Sequence, residues 1–268
     1  MTTPDVSVVV PCHDEAGNLR QLVDEIRAAL EPLGVAWELV VTDDASTDDS
    51  WAVLVALARQ DPRVRVRRFA TNCGESAASW AGMQAARAPV VVTLDADLQN
   101  DPAEIPRFLA ALHGADCVCG TRVAARAGGD GLVKVLSSRI ANAVRRRLGG
   151  GAISDAGCTY RALRRACLAN VRCFRGVHRF LPTLLAIDGF RVVEIPIANR
   201  PRGAGRSHYG IRNRAVPAFV DLLAVRWMRS RAVRWEIRTV VEAPADQGSP
   251  PSTRITAPVV KLDASDAR

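Results

Sequence analysis

Residues 89–102 read PVVVTLDADLQNDP, and this stretch decides the architecture. Its first part, Pro89–Leu94, is a continuous apolar run of strand length, the pattern of a parallel strand buried on both faces. Asp95 and Asp97 follow directly, two positions apart, so in extended chain both carboxylates project to one side. Asp101-Pro102 then opens a helix, with the acid at the cap and the proline in the first turn. A buried strand that ends in paired acids and turns into a helix is one unit of a wound α/β sheet.

The same alternation runs through the first 121 residues. Val6–Pro11 is a second continuous apolar run, and Gly17–Leu30 reads as a helix with Leu19, Leu22, Val23, Ile26 and Leu30 at 3–4 spacing. Strands are expected at Trp37–Thr42, Val64–Phe69 and Asp116–Thr121. Helices are expected at Asp48–Arg59, opened by the capping chemistry of Ser46, Thr47 and Asp48, and at Glu75–Arg87. The order predicts an α/β fold, an open, mostly parallel sheet with helices on both faces. Ligands of such sheets bind beyond the carboxyl ends of the strands. Acids gather at those ends: Asp14 and Glu15, Asp43 and Asp44, Asp95 and Asp97.

The chain has 268 residues, 48% of them hydrophobic and 24% charged, which excludes a wholly disordered or collagenous protein. Its net charge of +8 is unevenly spread. Residues 1–121 carry 9 Lys+Arg against 18 Asp+Glu, residues 122–147 carry 7 against 1, and residues 200–238 carry 10 against 2. An acidic first half meeting basic blocks points to an anionic partner held against an acidic region. The basic blocks also read as amphipathic helices. Leu132, Leu136, Ile140, Val144 and Leu148 share one face, flanked by Lys134, Arg139 and Arg145–Arg147. From about Asn213 to Trp235, apolar Phe219, Leu222, Leu223, Trp227 and Met228 alternate with Arg226, Arg229, Arg231 and Arg234. Aromatic residues beside arginine suit an anionic membrane surface, with core packing or a dimer seam as the competing use. No apolar run approaches the roughly 20 residues of a spanning helix, and no secretory signal is evident. The expected location is therefore cytoplasmic, peripheral to the inner face of the membrane. The seven cysteines lack CxxC spacing and read as reduced, mostly buried thiols.

Neither GxGxxG after the first strand nor GxxxxGK[ST] anywhere supplies a phosphate cradle, so phosphate charge falls to a metal and to arginine. Asp95, Asp97 and the amide of Gln99 form a hard-oxygen set that can hold a divalent cation and leave positions for phosphate oxygens. An aspartate at the end of the second strand can bond a base or ribose. A response-regulator phosphoacceptor there would want a lysine late in the sheet and fewer arginines. His13 is by itself as suited to a satisfied loop as to chemistry.

The runs PCHDE (11–15), DDASTDDS (43–50), NCGESAA (72–78), DADLQNDP (95–102) and GTR (120–122) together resemble the catalytic domain of family 2 glycosyltransferases, of GT-A fold. Asp155 with Gly157 and Tyr160-Arg161, HRFL (178–181), EIP (194–196) and RPRGAGRSHY (200–209) are similar to the dolichyl- or polyprenyl-phosphate mannosyl- and glucosyltransferase branch. The resemblance covers roughly residues 5 to 235. It implies a GT-A domain over 1–211; patterning places a basic amphipathic acceptor or interface helix within 122–150 and another basic amphipathic helix over 212–238, and a composition rich in Pro, Ser, Ala and Asp reads as a disordered tail over 239–268.

It further implies inverting transfer of a hexose from a nucleotide-sugar such as GDP-mannose or UDP-glucose to a polyprenyl phosphate. Pro11, His13, Glu15, Asp43 and Asp44 would surround the nucleotide, together with Asp95. Asp95, Asp97 and Gln99 would hold Mg²⁺ or Mn²⁺, and Arg122, Lys134, Ser138, Arg202 and Ser207 would grip the acceptor phosphate. Asp97, Asp155, Arg122 and Arg202 are the expected catalytic set. Asp155 is either a base for a soluble hydroxyl acceptor or one half of an ion pair with a nearby arginine. The chain departs from the branch at His13, where tyrosine is usual, at His208, where lysine is usual, and at Lys134, where arginine is usual. A nucleic-acid or anionic-surface module without chemistry would not explain the acidic strand ends, so no nucleic-acid partner is expected; the oligomeric state stays open.

Overall fold

The computed structural model describes residues 3–122, 153–155, 157–198, 200 and 212–232, with 212–219 described by backbone only. The expected helix at 132–148, the boundaries at 211 and 238 and the tail from 239 lie outside the described residues, as do Lys134, Ser138, Arg202, Ser207 and His208.

Seven strands form one sheet in the order β3-β2-β1-β4-β6-β5-β7. They are β1 (Val6–Cys12), β2 (Trp37–Asp43), β3 (Val64–Arg68), β4 (Val90–Thr93), β5 (Cys117–Thr121), β6 (Arg161–Arg164) and β7 (Val192–Pro196). Every pairing is parallel except those of β6, which runs antiparallel to both β4 and β5. The helices are α1 (Leu19–Leu30), α2 (Ser50–Gln60), α3 (Glu75–Ala85), α4 (Ile105–Ala111), α5 (Val177–Ile187) and α6 (Arg212–Ser230).

The period of two in the strands sorts their side chains onto two cores. Val8, Val10, Val41 and Val92 face α1, α2 and α4, joining Leu19, Leu22, Ile26, Leu54, Ile105 and Phe108. Val9, Val40 and Val91 face the other way, onto Met83 of α3 and Val177, Leu181 and Leu185 of α5. Each such side chain contributes about 1.5–3 kcal/mol by leaving water. At Gly82 the backbone of α3 lies so close to β1 that an added Cβ would collide with Val9. On the outer edge, β3 presents Arg65, Arg67 and Arg68, charges that discourage further strand pairing. Arg65 ion-pairs with Glu38 of β2 at 2.7 Å.

Helix α6 docks on α5 through Leu222 and Val225, which meet Phe180. At Gly176, whose φ is +107°, a Cβ would strike Asp221 of α6, so the glycine admits the contact. The apolar residues expected on one face of this helix divide in two. Leu222 points inward, whereas Leu223, Trp227 and Met228, with Val220, stand exposed. Among the described residues no helix is long and apolar enough to cross a membrane. All seven cysteines are free, five of them buried.

Candidate active site

Strands β1, β2, β4 and β5 point the same way, so their carboxyl ends share one edge, and those expected site residues that lie among the described ones are found at or near it. The first turns beyond β1, β2 and β4 each hold a non-glycine residue at positive φ: Asp14 (55°), Ala45 (55°) and Leu98 (64°). Conformations of this kind cost about 1–3 kcal/mol each and persist only where the surroundings enforce them.

The turns after β1 and β2 are tied by their polar side chains. Ser46 Oγ accepts from Asp14 N at 3.0 Å and Ser50 Oγ from Glu15 N at 2.9 Å. In return Asp14 Oδ1 accepts from Thr47 N at 2.6 Å and from Asp48 N at 3.3 Å. Burial works against the Asp14 carboxylate, but these backbone donors prevail and hold its pKa below the ordinary value. Ser46, Thr47 and Asp48 were expected to cap the following helix. Asp49 stands at the α2 cap without a side-chain bond, Asp48 accepts from Ser50 N at 2.9 Å, and the remaining hydroxyls and acids lace the two turns together.

Asp43 is fully buried, with Oδ1 accepting from Ser46 and Oδ2 lying 3.1 Å from Arg68 Nε. Asp44 uses both oxygens on backbone, accepting from Cys73 N at 2.6 Å and Gly74 N at 2.8 Å, and so anchors the turn before α3. His13 Nδ1 sits 3.0 Å from the Asp44 carbonyl. Glu15 accepts from Asn18 Nδ2 at 2.5 Å. Half-buried Pro11 completes this corner.

Asp95 and Asp97 stand at the end of β4. Asp95 Oδ2 accepts from Thr159 Oγ1 at 2.6 Å and from Asn100 Nδ2 at 3.3 Å. Asp97 is buried and its Oδ1 accepts from Gln99 N at 3.1 Å. Burial pushes the Asp95 carboxyl up; the Thr159 hydroxyl counters it, neighbouring Asp97 adds to the rise, and Arg122 and Arg161 oppose it. Asn100 is buried and its Oδ1 has no hydrogen-bond partner. Two carboxylates of like charge beside an orphaned carbonyl oxygen form a hard donor set that suits Mg²⁺ or Mn²⁺. Among the described residues no three His, Cys, Asp or Glu side chains are grouped to hold a metal. Two acids alone match a cation whose remaining positions go to phosphate oxygens.

Arg122 follows β5. Its backbone N donates to Asp155 Oδ2 at 3.2 Å, its Nε lies 3.6 Å from the same oxygen, and its Nη2 donates to Gly157 O at 3.1 Å. The ion pair open to Asp155 is therefore formed. Glu194 of β7 holds this segment, accepting from Ser154 N at 2.8 Å and Asp155 N at 3.2 Å. Arg200 runs from the loop after β4 to α1, pairing with Asp101 at 2.6 Å and Glu25 at 2.8 Å. Thr159, Asn100 and Glu194 were not among the expected site residues.

A seven-stranded α/β sheet with one reversed strand and an acidic pair beyond a central strand is the GT-A arrangement. The chain belongs to glycosyl transferase family 2, whose sequence profile matches residues 7–172. Curated relatives include the undecaprenyl-phosphate 4-deoxy-4-formamido-L-arabinose transferases of Salmonella paratyphi A and Salmonella enteritidis PT4. Each is 35% identical over 219 residues, which is 81% of this chain and 66% of theirs. The chain thus spans just under two thirds of the length of those relatives. Among solved structures it is similar to glucosyl-3-phosphoglycerate synthase from Mycobacterium tuberculosis in complex with phosphoglyceric acid. That match has a TM-score of 0.59 at 20% identity, over 86% of this chain and 81% of that one. The same enzyme with Mn²⁺, uridine diphosphate and phosphoglyceric acid gives a TM-score of 0.58 at 20% identity, over 85% and 78%. At that identity the likeness speaks for the fold.

Proposed function

We propose that this glycosyltransferase moves a hexose, with inversion, from a nucleoside-diphosphate sugar to a polyprenyl phosphate at the cytoplasmic face of a membrane. The observation that carries the reading is the division of charge along one sheet edge: the acids Asp95 and Asp97 after β4, and Arg122, directly after β5, with its buried partner Asp155. A leaving diphosphate needs a cation between itself and two aspartates, and an anionic acceptor needs a fixed arginine. Relatives at 35% identity carry the undecaprenyl-phosphate acceptor in their names.

Asp95, Asp97 and Gln99 would hold Mg²⁺ or Mn²⁺, which when bound stabilises charge on the departing diphosphate. Pro11, His13 and Glu15 line the corner for base and ribose, with buried Asp43 and Asp44 fixing its floor. Arg122 orients the acceptor phosphate, assisted from outside the described residues by Lys134, Ser138, Arg202 and Ser207. The acceptor is already ionised near neutral pH. Its oxygen attacks the anomeric carbon as the bond from that carbon to the diphosphate oxygen breaks, and no proton has to be removed. The engagement of Asp155 with Arg122 supports this over a hydroxyl acceptor, which would need a base.

The exposed residues of α6 supply the membrane contact. Val220, Leu223 and Trp227 fall at helical spacing, and Trp227 is 62% exposed. Arg226, Arg229 and Arg231 lie beside them for anionic headgroups. The test is release of nucleoside diphosphate from GDP-mannose, UDP-glucose and UDP-N-acetylglucosamine with Mn²⁺, each with and without undecaprenyl phosphate. Release from one donor that requires the lipid supports the proposal. Metal-dependent release indifferent to lipid moves the acceptor to a soluble hydroxyl.

A further inference from the structure

Asp95 is held by one neighbour remote in sequence and one close by. Strand β6 runs antiparallel to β4 with Thr93 opposite Arg161. Continuing that register by two residues sets Asp95 opposite Thr159, just beyond the last ladder pair. The Thr93 hydroxyl donates to Thr159 O at 2.6 Å and fixes the backbone there, and the Thr159 hydroxyl donates to Asp95 Oδ2 at 2.6 Å. From the other side the turn at Leu98, with φ of 64°, folds the chain back so that Asn100 Nδ2 meets the same oxygen at 3.3 Å. Among the described residues, Asp95 Oδ1 has no such donor.

We infer that Thr159 and Asn100 are positioning residues for Asp95: two donors pin one carboxylate oxygen inward and leave the other as the face offered to the divalent cation. This rests on the reading of Asp95 and Asp97 as the cation site. A carboxylate free to rotate would present either oxygen and lose orientation on each encounter, whereas one fixed by second-layer donors is preorganised. Loss of such partners typically lowers metal affinity by about 10–100-fold. The Asn100 amide is oriented by the same contact, because its NH₂ must face the carboxylate. Its carbonyl oxygen is then left buried without a partner.

The probe is Mn²⁺ alone, followed by the electron paramagnetic resonance signal of the free ion during titration of the full chain. Thr159→Val keeps the shape and removes the donor; Thr159→Ser keeps the donor and removes a methyl. The expected result is an affinity lowered about 10-fold or more in Thr159→Val and restored to within about 3-fold of wild type in Thr159→Ser. Asn100→Ala is the second variant, should the valine chain fail to fold, and is expected to weaken binding by a smaller factor. Equal Mn²⁺ affinity in wild type, Thr159→Val and Asn100→Ala overturns the inference while leaving the metal site standing. Failure of wild type itself to bind Mn²⁺ more tightly than Asp97→Ala removes the metal site, and the inference with it.

Discussion

Asp155 is the residue at which two chemistries part. It is held by Arg122 through both backbone and guanidinium, and under the proposed function it is the counter-charge that orients that arginine. Asp155→Asn is therefore expected to lower kcat/KM by about 10-fold with an unchanged pH-rate profile. A general base would show a loss of about 10²–10⁴-fold and a missing acidic limb. Away from the site, Asp61 receives hydrogen bonds from Arg63 and, against some burial, from Arg27, which bring its pKa to about 2. Its unfolded value is about 3.9. The unfolded chain thus binds more protons than the folded one between those two values. The Asp61 contribution is complete above about pH 4 and fades as pH falls through about 2. Asp61→Asn should cost about 1–2 kcal/mol at pH 7, discounted for the half-exposed Arg63, and much less near pH 2; denaturant melts at both pH values measure the difference. The acids of the site were legible in the sequence because each ends an apolar run, where an unpaired charge is costly. The Thr159 donor to Asp95 was not legible, since it lies 64 residues away and meets Asp95 only through the antiparallel register of β6. Nor does anything local in DDASTDDS show that Asp44 turns to the backbone of Cys73 and Gly74.

Strands β1 to β5 and helices α1 to α4 could be read because their apolar periods are strong, and their ends shift by only a few residues. The helix expected from Gly17 begins at Leu19, since the chain first turns at Glu15 to Asn18. Strands β6 and β7 were missed. RALR is short and flanked by charge, and its place between β4 and β5 follows from tertiary pairing and not from alternation. The closeness of α3 to β1 yields a test at this scale. Gly82→Ala should favour the helix by about 1 kcal/mol on propensity alone, yet destabilise the protein by about 1–3 kcal/mol as the new methyl displaces Val9. Chemical denaturation gives the sign; a stabilised variant would mean that the α3–β1 contact is looser than described.

Across the whole molecule, an acidic sheet edge and basic later segments suit the proposed transfer between two anionic substrates. The sequence showed this asymmetry directly, and it separated a transferase from a binding module because acids alone repel phosphate. It could not show which apolar residues of α6 face inward, a choice set by the contact of Leu222 and Val225 with Phe180. With that face settled, replacing Leu223 and Trp227 together by serine should reduce binding to phosphatidylglycerol vesicles by about 10-fold or more. Melting temperature should change little, because both side chains are exposed. Sedimentation with vesicles at low and high salt checks the loss and its electrostatic share. The most direct measurement uses donor labelled in the sugar, undecaprenyl phosphate in detergent and Mn²⁺, and counts the label extracted into organic solvent. The account predicts lipid-borne label from one nucleotide-sugar, abolished without the lipid phosphate and reduced by about 10³-fold or more in Asp97→Ala. Label that stays in water with every donor, or lipid labelling unaffected by Asp97→Ala, would contradict it.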